Sequence, residues 1–483
     1  MDRKTASAHA MNIERLKRVV SVLWEQEALP TLAEYIRIPS KSPDFDPDWA
    51  MHGHLDRAVE LLVGWARPRV AELHKATIET FALPGRTPVI LIDVPGASDT
   101  TVLLYGHLDK QPEMEGWAEG LGPWMPVRRG DQLYGRGAAD DGYAMFAAIA
   151  ALMGLHDQRM PHCRCVILIE ASEESGSVDL PFYMDHLADR IGTPSLVVCL
   201  DSSCGSYDRL WLTTSLRGLA TGILTVRVLN EGVHSGDASG IVPSSFRIAR
   251  QLISRLEDEG TGMLRLADLH VPIPAERIQQ AQRAGRILEE ILTTRFPWAG
   301  DTQPVCGDLT ELVLNRTWRP QLSVTGMAGL PAPNDAGSVL LPYTTLKLSF
   351  RLPPTLEARA AGELIRSTLQ SSAPYGARVE FNLEHAACGW NAPVLADWLE
   401  ASIDRAARHA FGKEPAYMGE GGAIPFMGML ARKFPSAQFV VTGVLGPRSN
   451  AHGPNEFLHI PAAIAISVSI AGIIADHGGQ HLA

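Results

Sequence analysis

Short apolar segments that run directly into histidine or carboxylate side chains constrain this chain most. Segments of this kind cover residues 102–105, 166–169 and 196–200. A similar segment at residues 439–442 precedes a histidine only after a loop, and a further apolar run covers residues 89–93. Runs of this length, bounded by turn residues, are typical of strands buried on both faces of a parallel sheet. Apolar residues recur at helical spacing over residues 13–36, 55–73 and 142–155. We therefore predict an α/β fold with a mixed, mainly parallel sheet flanked by helices.

The middle of the chain follows a different pattern. Residues 219–229 and 344–352 alternate in the manner of half-exposed strands, and residues 246–256 have the spacing of an amphipathic helix. Strands and helices without a βαβ alternation indicate an α+β domain inserted into the larger one. The predicted boundaries are 1–216 for the first part of the larger domain, 217–385 for the insert, and 386–483 for the second part of the larger domain.

The composition argues against two classes of partner. The formal net charge is −11, so the chain has no basic surplus for nucleic acid or for an anionic membrane surface. The apolar run at residues 462–475 is shorter than a membrane span and predicts a buried helix. The N-terminus has no continuous apolar stretch of the secretory type, and the six cysteines do not form a disulfide framework. We expect a cytoplasmic protein.

Polar side chains follow the predicted strands at one end. They are His107 and Asp109, Glu173 and Glu174, Asp201, and His452 after a loop, together with Asp140 and Asp141 in a glycine-rich turn before a helix. Ligands of open α/β sheets bind outside the carboxyl ends of the strands. We therefore expect these side chains to converge on one crevice.

Carboxylates brought this close repel one another, and a pair of divalent cations would relieve the repulsion. Two histidines with three carboxylates offer the nitrogen and oxygen ligands that zinc accepts while leaving a position for water. Asp109 is two residues after His107 and can orient its imidazole. Of the Glu173–Glu174 pair, one carboxylate can bind metal while the other acts as a general base. Each motif alone is common, and their joint occurrence at the strand ends favours the metal site.

Other site classes fit less well. The segment at residues 135–140, GRGAAD, has an aspartate where a dinucleotide-binding fingerprint has its third glycine. The sequence contains no HExxH, no P-loop and no GxSxG motif. His234, in GVHSG, would be an ordinary residue if taken alone.

The motifs YGHLD, YGRGAADDG, EASEESGS, CLDSS, GVHSG, GEGGAIP and AHGPNE occur in this order along the chain. In order and spacing they resemble the co-catalytic dizinc metallopeptidase family. This family contains the carnosine dipeptidases, bacterial dipeptidases, glutamate carboxypeptidases, aminoacylases and succinyl-diaminopimelate desuccinylase. The resemblance covers nearly the whole chain, and its details are most similar to the cytosolic nonspecific dipeptidase and carnosinase branch.

The resemblance implies a role for each polar residue at the strand ends. His107, Asp140 and Asp201 would hold one zinc ion, and Asp140, Glu174 and His452 the other, with Asp140 bridging; Mn²⁺ and Co²⁺ are alternatives to zinc. Glu173 would be the general base for a water that bridges the metals, and Asp109 would orient His107. The peptide bond between Asp140 and Asp141 would be cis.

For the insert, the resemblance implies a lid and dimerisation domain. His234 resembles a residue that reaches into the active site of the partner subunit, which implies a homodimer. The implied substrate-binding residues are Arg351, which would grip a carboxylate, His385 near the substrate, Glu420 and Gly421 in a loop that can bind a free amino group, and Ser338, where a Thr or Asn is expected.

The implied reaction is hydrolysis of the amide bond of dipeptides or similar small aminoacyl amides with a free carboxylate. Two departures from the family pattern keep an N-acyl or N-carbamoyl amino-acid amidohydrolase open as an alternative. Gly142-Tyr143 stands where the family often has Lys-Gly, and Ala423 where dipeptidases have Ser or Thr. A non-catalytic metal-binding dimer is a third hypothesis.

Overall fold

The computed structural model of the protein describes residues 11–294, 296–422 and 424–481. The described residues form two compact units. The first unit draws on Met1–Thr213, Pro393–Tyr417 and Met429–Ala483, and the second on Thr214–Ala392 and Met418–Gly428. The domain boundaries expected from the sequence stay a prediction.

Helices and strands are numbered here in chain order. The α-helices are α1 Ile13–Leu23, α2 Leu29–Ile36, α3 Trp49–His52, α4 His54–Glu72, α5 Ala144–Asp157, α6 Leu180–His186, α7 Ala188–Ile191, α8 Ser235–Ala238, α9 Ser245–Leu256, α10 Ala275–Ile287, α11 Glu289–Thr294, α12 Leu309–Thr317, α13 Ala358–Gln370, α14 Asp397–Phe411, α15 Pro425–Lys433 and α16 Ile460–His481. The strands are β1 Thr77–Phe81, β2 Val89–Val94, β3 Thr101–His107, β4 Val127–Arg129, β5 Gln132–Tyr134, β6 Arg164–Glu170, β7 Pro194–Cys199, β8 Trp211–Leu216, β9 Gly218–Arg227, β10 Val233–His234, β11 Gln321–Ala328, β12 Val339–Leu340, β13 Tyr343–Leu352, β14 Arg378–Ala387, β15 Trp390–Asn391, β16 Ala416–Glu420, β17 Gln438–Val441 and β18 Phe457–His459.

The first unit is built on a six-stranded sheet in the order β1-β2-β6-β3-β7-β17. Neighbours among β6, β3, β7 and β17 are parallel, whereas β1 and β2 run antiparallel to their neighbours. The predicted α/β fold with a mixed, mainly parallel sheet flanked by helices is therefore confirmed. The parallel direction expected for residues 89–93 is wrong, because an apolar run reports burial on both faces and not the direction of the strand.

The carboxyl ends of the parallel strands lie at one edge of this sheet. In the register of β3 and β6, His107 pairs with Glu170, and β7 ends at Cys199 opposite Tyr105. Backbone hydrogen bonds continue one residue further, from the N–H of Leu108 to the Glu170 oxygen (2.9 Å). The polar segments that follow these strands therefore leave the sheet at the same edge.

Helices α5 and α16 form the centre of the helical layers. α5 is buried along almost its whole length and packs against α16 and α1. α16 has 22 residues, so it is longer than the run at residues 462–475 suggests, and among the described helices it alone is long and apolar enough to cross a membrane. Most of its apolar stretch is buried inside the first unit, and Ser467 Oγ accepts a hydrogen bond from Trp24 Nε1 (2.9 Å). The predicted buried helix is confirmed.

The second unit has a four-stranded antiparallel sheet in the order β11-β13-β9-β14. Buried and partly exposed residues alternate strictly along β9 and nearly so along β13, as in a sheet with one covered face. Helices α9 and α13 pack against this sheet, and their apolar residues join its core. The prediction of an α+β architecture for this part of the chain is confirmed.

Candidate metal centre

His107 ends β3, and its surroundings depend on the glycine before it. A Cβ at Gly106 would lie 2.5 Å from Ala144 Cβ and 2.7 Å from Asp141 Oδ2, so only glycine lets α5 begin this close to the strand. The approach brings Asp141 Oδ2 within 3.2 Å of the His107 backbone N–H, which donates to it. His107 Nδ1 lies 3.1 Å from the Asp109 backbone oxygen and 3.5 Å from Asp109 Oδ1. Acceptors on that side place the ring proton on Nδ1 and leave Nε2 with its lone pair.

Three buried side chains meet at His107 Nε2. Asp140 Oδ1 lies 3.3 Å from this atom and Asp201 Oδ2 lies 3.7 Å from it. One possible ligand atom from each of the three residues lies within 4.8 Å of the others. The end of β3, the turn before α5 and the segment after β7 therefore contribute one group each.

A second group shares Asp140 with the first. His452 Nε2 lies 3.0 Å from Asp140 Oδ2 and 3.4 Å from Glu174 Oε2. The two oxygens of Asp140 thus face different histidines, which is the arrangement that a carboxylate bridging two cations requires. The His452 side chain is 58% exposed, so this second group faces solvent.

Adjacent aspartates in the turn before α5 make different contacts. The peptide bond between Asp140 and Asp141 is cis, as the resemblance implies. Asp140 faces the two histidines, whereas Asp141 accepts from the His107 backbone. The turn is closed by a hydrogen bond from the Gly142 N–H to the Gly137 oxygen (3.0 Å).

Glu173 and Glu174 lie in a short 3₁₀ turn after β6, and Asp109 holds this turn. Asp109 Oδ1 accepts from the Glu173 N–H (3.1 Å), and Asp109 Oδ2 accepts from the Glu174 N–H (3.0 Å). Glu173 Oε2 lies 4.0 Å from His107 Nε2. One buried carboxylate therefore positions both glutamates and lies beside the His107 ring.

The electrostatics of the site reflect crowded negative charge. Burial raises the pKa of Glu173 well above its usual range, and the nearby Asp201 raises it further. Burial alone would lower the pKa of His107, but the nearby carboxylates of Asp109, Asp140 and Asp201 outweigh burial and raise the pKa well above its usual value. Both shifts favour the protonated form of the side chain. A bound cation would relieve the same crowding of negative charge.

The donor atoms fit a divalent metal. Among the described residues, His107 Nε2, Asp140 Oδ2 and Glu174 Oε1 are buried without a hydrogen bond of acceptable geometry. Buried polar atoms are normally paired, so unpaired atoms on three of the proposed ligands fit the presence of an ion. Imidazole nitrogens with carboxylate oxygens are ligands that zinc and related ions accept.

Sequence reasoning missed two residues with direct roles around the centre, Gln111 and Glu456. Gln111 Nε2 donates to Glu174 Oε2 (2.6 Å). Glu456 accepts from the Asp140 N–H (3.3 Å). Glu456 lies in AHGPNE and Gln111 lies two residues after YGHLD, so their position in or beside a motif was the only available signal.

In the second unit, the structure brings the segments of His234 and Ser338 together. β10 pairs with β12, with His234 opposite Val339. The Ser235 N–H donates to the Ser338 backbone oxygen (2.9 Å). The His234 side chain is 67% exposed, and its Nδ1 lies 3.9 Å from Asp237 Oδ2.

Arg351 and His385 lie on the two strands that flank β9. Arg351 pairs with Leu219, and His385 pairs with Thr221 next to a bulge. Burial lowers the pKa of Arg351. The two side chains thus belong to neighbouring positions along one sheet.

Glu420 and Gly421 are held by an arginine that sequence reasoning did not single out. The Arg217 N–H donates to the Glu420 oxygen (3.3 Å), and Arg217 Nε donates to the Gly421 oxygen (3.2 Å). Burial, with repulsion from Arg351 and Arg316, lowers the pKa of Arg217 to about 9. Ala423, in the same loop, lies outside the described residues.

A mainly parallel α/β sheet with histidines and carboxylates gathered at its carboxyl edge is the architecture of a metal-dependent hydrolase. The model of peptidase family M20/M25/M40 matches residues 103–476. The chain therefore belongs to this peptidase family, and the resemblance seen in the sequence is confirmed.

Relatives in this family are named as dipeptidases. The chain is 24% identical over 427 residues to the cysteinylglycine-S-conjugate dipeptidase of Corynebacterium striatum, covering 83% of this chain and 88% of that protein. It is 27% identical over 423 residues to the Beta-Ala-His dipeptidase of Homo sapiens, covering 84% and 82%. The structure of human carnosine dipeptidase 1 shares the fold, with a TM-score of 0.73 at 21% identity over 97% of this chain and 99% of that one. The protein is an enzyme that hydrolyses peptides, a metallopeptidase of the dipeptidase type.

Proposed function

We propose that the protein hydrolyses the amide bond of dipeptides and similar small aminoacyl amides with a free carboxylate. It would use two divalent metal ions, with zinc as the first candidate, and Glu173 as the general base. One observation carries the proposal: Asp140 Oδ1 lies 3.3 Å from His107 Nε2, and Asp140 Oδ2 lies 3.0 Å from His452 Nε2. The names of the dipeptidase relatives support the substrate class.

His107, Asp140 and Asp201 would hold one ion, and Asp140, Glu174 and His452 would hold the other. With Glu173, the carboxylates in this set carry four negative charges, which two divalent cations balance. When bound, such ions acidify water and polarise the scissile carbonyl. Asp140 is the residue on which both sites depend.

Glu173 would move the proton in the reaction. Its carboxylate takes a proton from the attacking water and then delivers it to the nitrogen of the leaving amine, so that an acid and an amine are released. The buried surroundings that raise the pKa of Glu173 favour holding a proton between these two transfers. Asp109 keeps the carboxylate in place by accepting from the Glu173 backbone N–H.

Residues of the second unit would recognise the substrate. Arg351 would bind the free carboxylate, because a guanidinium pairs with a carboxylate in a bidentate manner. The other proposed substrate-binding residues are His385, Ser338, Glu420 and Gly421.

We also propose a homodimer in which His234 serves the partner's site, because its side chain is largely exposed. Mixing tests this arrangement. Subunits carrying Glu173→Gln and subunits carrying His234→Ala are each expected to be inactive alone. Random exchange should restore about a quarter of wild-type activity if His234 acts across the dimer. No recovery in exchanged dimers would contradict the proposal.

The proposed location is the cytoplasm. All six cysteines are free, and Cys163, Cys165, Cys199 and Cys204 are buried thiols. Free thiols are the usual state in a reducing compartment. A fluorescent fusion at either terminus of the chain, followed by fractionation, tests this location.

A substrate panel tests the reaction. Purified protein loaded with Zn²⁺ or Mn²⁺ is assayed on dipeptides, N-acetyl amino acids and N-carbamoyl amino acids. We expect cleavage of dipeptides and a loss of about 10²–10⁴-fold in kcat for Glu173→Gln with metal content unchanged. Equal activity of this variant and wild type would contradict the base assignment.

The N-acyl or N-carbamoyl amidohydrolase remains the second candidate because of the turn before α5. A Cβ at Gly142 would lie 2.4 Å from the Gly137 oxygen and 2.4 Å from Tyr35 Cε1, so the lysine that the family often has here does not fit. Cleavage of the N-acetyl or N-carbamoyl substrates in preference to the dipeptides would favour this second function.

A further inference from the structure

A buried ion pair contacts the turn of Asp140 and the segment of His452, and it also contacts Pro112, which follows Gln111. Arg136 Nη1 lies 2.6 Å from Glu456 Oε2, and the two side chains are 1% and 0% exposed. Neither residue is among the proposed metal ligands. Its contacts therefore have to be explained separately.

Glu456 binds the turn that carries Asp140. Its Oε1 atom accepts from the backbone N–H groups of Gly137 (3.0 Å), Ala139 (3.2 Å) and Asp140 (3.3 Å). The Gly135 N–H also donates to the backbone oxygen of Glu456 (3.0 Å). The Glu456 carboxylate thus accepts from three backbone N–H groups of this turn. These hydrogen bonds fix the backbone of Asp140, the proposed bridging ligand.

Arg136 contacts the segment of His452 directly, and it reaches Glu174 only through the residue next to Gln111. Its Nη2 atom donates to the oxygen of Gly453 (2.7 Å), the residue directly after His452. Its Nε atom donates to the oxygen of Pro112 (3.1 Å). Pro112 follows Gln111, which donates to Glu174.

We infer that Glu456 and Arg136 are positioning residues that set the spacing of Asp140, Glu174 and His452, and thereby the affinity for the second metal ion. This inference rests on the proposed function for the identity of the metal ligands. A buried ion pair is weak as a source of stability, because desolvation of the two charges offsets their attraction. Its contacts to the Asp140 turn, to Gly453 and to Pro112 give it a different role, since outer partners of metal ligands control affinity.

Two variants separate the carboxylate from the guanidinium. Glu456→Gln keeps the size of the side chain, but its amide NH₂ must face either Arg136 or the backbone N–H groups, so donor meets donor. Arg136→Lys keeps the charge beside Glu456, but one ammonium group cannot reach the Gly453 and Pro112 oxygens as the planar fork does.

The chain offers a matched control for each variant. Asp179 accepts from Arg86 Nη1 (2.7 Å) and from the Thr87 N–H (2.9 Å), so Asp179→Asn makes the same change as Glu456→Gln. Arg164 donates to both oxygens of Asp93 (2.9 and 2.7 Å), so Arg164→Lys matches Arg136→Lys. No contact described for Asp179 or Arg164 involves a proposed metal ligand.

The experiment titrates metal-free, full-length protein with Zn²⁺ against a chromophoric chelator, and records thermal unfolding of the same samples. We expect Glu456→Gln and Arg136→Lys to weaken Zn²⁺ binding, so that one of the two dissociation constants rises by about 10–100-fold. The controls should lower Tm comparably and leave both constants near the wild-type values. The inference would be overturned if both Zn²⁺ dissociation constants of the variants equal those of wild type. It would also be overturned if they rise no more than those of the control variants.

The readout is metal affinity and needs no substrate. Wild-type protein that binds two ions but cleaves none of the tested amides contradicts the proposed function alone. Unchanged affinity in both variants contradicts the positioning role alone.

Discussion

Asp109 accepts a hydrogen bond of 3.1 Å from the backbone N–H of Glu173, the proposed general base. The same carboxylate lies 3.5 Å from the His107 ring. The segment after β3 therefore fixes both a proposed metal ligand and the proposed base. This link makes the metal site and the proton-transfer group parts of one buried network.

Asp109→Asn should disturb the position of the Glu173–Glu174 turn. The new amide NH₂ must face the N–H of Glu173 or of Glu174, so one of these hydrogen bonds is lost. We expect kcat to fall by about 10–100-fold with KM affected less, because the loss concerns the reacting groups and not the substrate carboxylate. Steady-state kinetics on a dipeptide checks this, and a kcat close to wild type would contradict the role given to Asp109.

His452→Gln should remove one metal ion and leave the other. His452 belongs only to the group with Asp140 and Glu174, so the group around His107 keeps its ligands. Elemental analysis after dialysis should give close to one equivalent per chain against two for wild type. The exposed His409 on α14 supplies the control, and His409→Gln should retain both ions. Loss of both ions, or of neither, from His452→Gln would argue against two separable sites.

The stability of the metal-free protein should change with pH because Glu173 ionises. An exposed glutamate has a pKa of about 4.3 in the unfolded chain, whereas burial and Asp201 raise the pKa of Glu173 in the folded protein. The stability linked to this group is therefore fully present below the unfolded pKa and is lost as pH rises through the folded pKa. Metal-free Glu173→Gln should exceed wild type in Tm by more at pH 8 than at pH 5. A Tm difference that stays constant across this range would contradict the shift.

Acid stability should depend on a histidine far from the metal centre. His477 is buried on α16, where its Nε2 lies 2.7 Å from Ser195 Oγ. Burial, with a smaller effect of His481, lowers the pKa of His477 to about 4. A base of this kind stabilises the fold above its unfolded pKa of about 6.5, and the contribution is lost as pH falls towards the folded pKa, up to about 3 kcal/mol.

His477→Gln tests this contribution, because glutamine can keep a hydrogen bond to Ser195 but does not titrate. Urea denaturation between pH 7 and pH 4.5 should show a smaller loss of unfolding free energy for the variant than for wild type. Parallel losses in the two proteins would show that other groups set the acid limit.

The sheet and the meeting point of its polar residues could be predicted because both follow from short-range patterns. The runs at residues 102–105 and 196–200 match β3 and β7, and their shared direction brings His107 and Asp201 to one edge. The structure brings these residues together, and their metal-binding role stays a prediction. The length of α16 was underestimated, because Ile460–His481 begins before the apolar run and extends past it through polar positions.

The supporting contacts could not be predicted, because they depend on backbone atoms. Glu456 contacts the N–H groups of a distant turn, and Arg136 contacts the oxygens of Gly453 and Pro112. Neither interaction requires a particular residue type on the partner side, so no pattern of side chains reveals it. The bulge that precedes His385 is likewise a matter of strand register, which local sequence does not specify.

Anomalous diffraction from crystals grown with Zn²⁺ or Mn²⁺ tests the bridging role of Asp140 most directly. The account predicts two anomalous peaks about 3.5–4 Å apart, one beside each oxygen of Asp140, with His107 on one side and His452 on the other. A single peak, or peaks that do not contact Asp140, would contradict it.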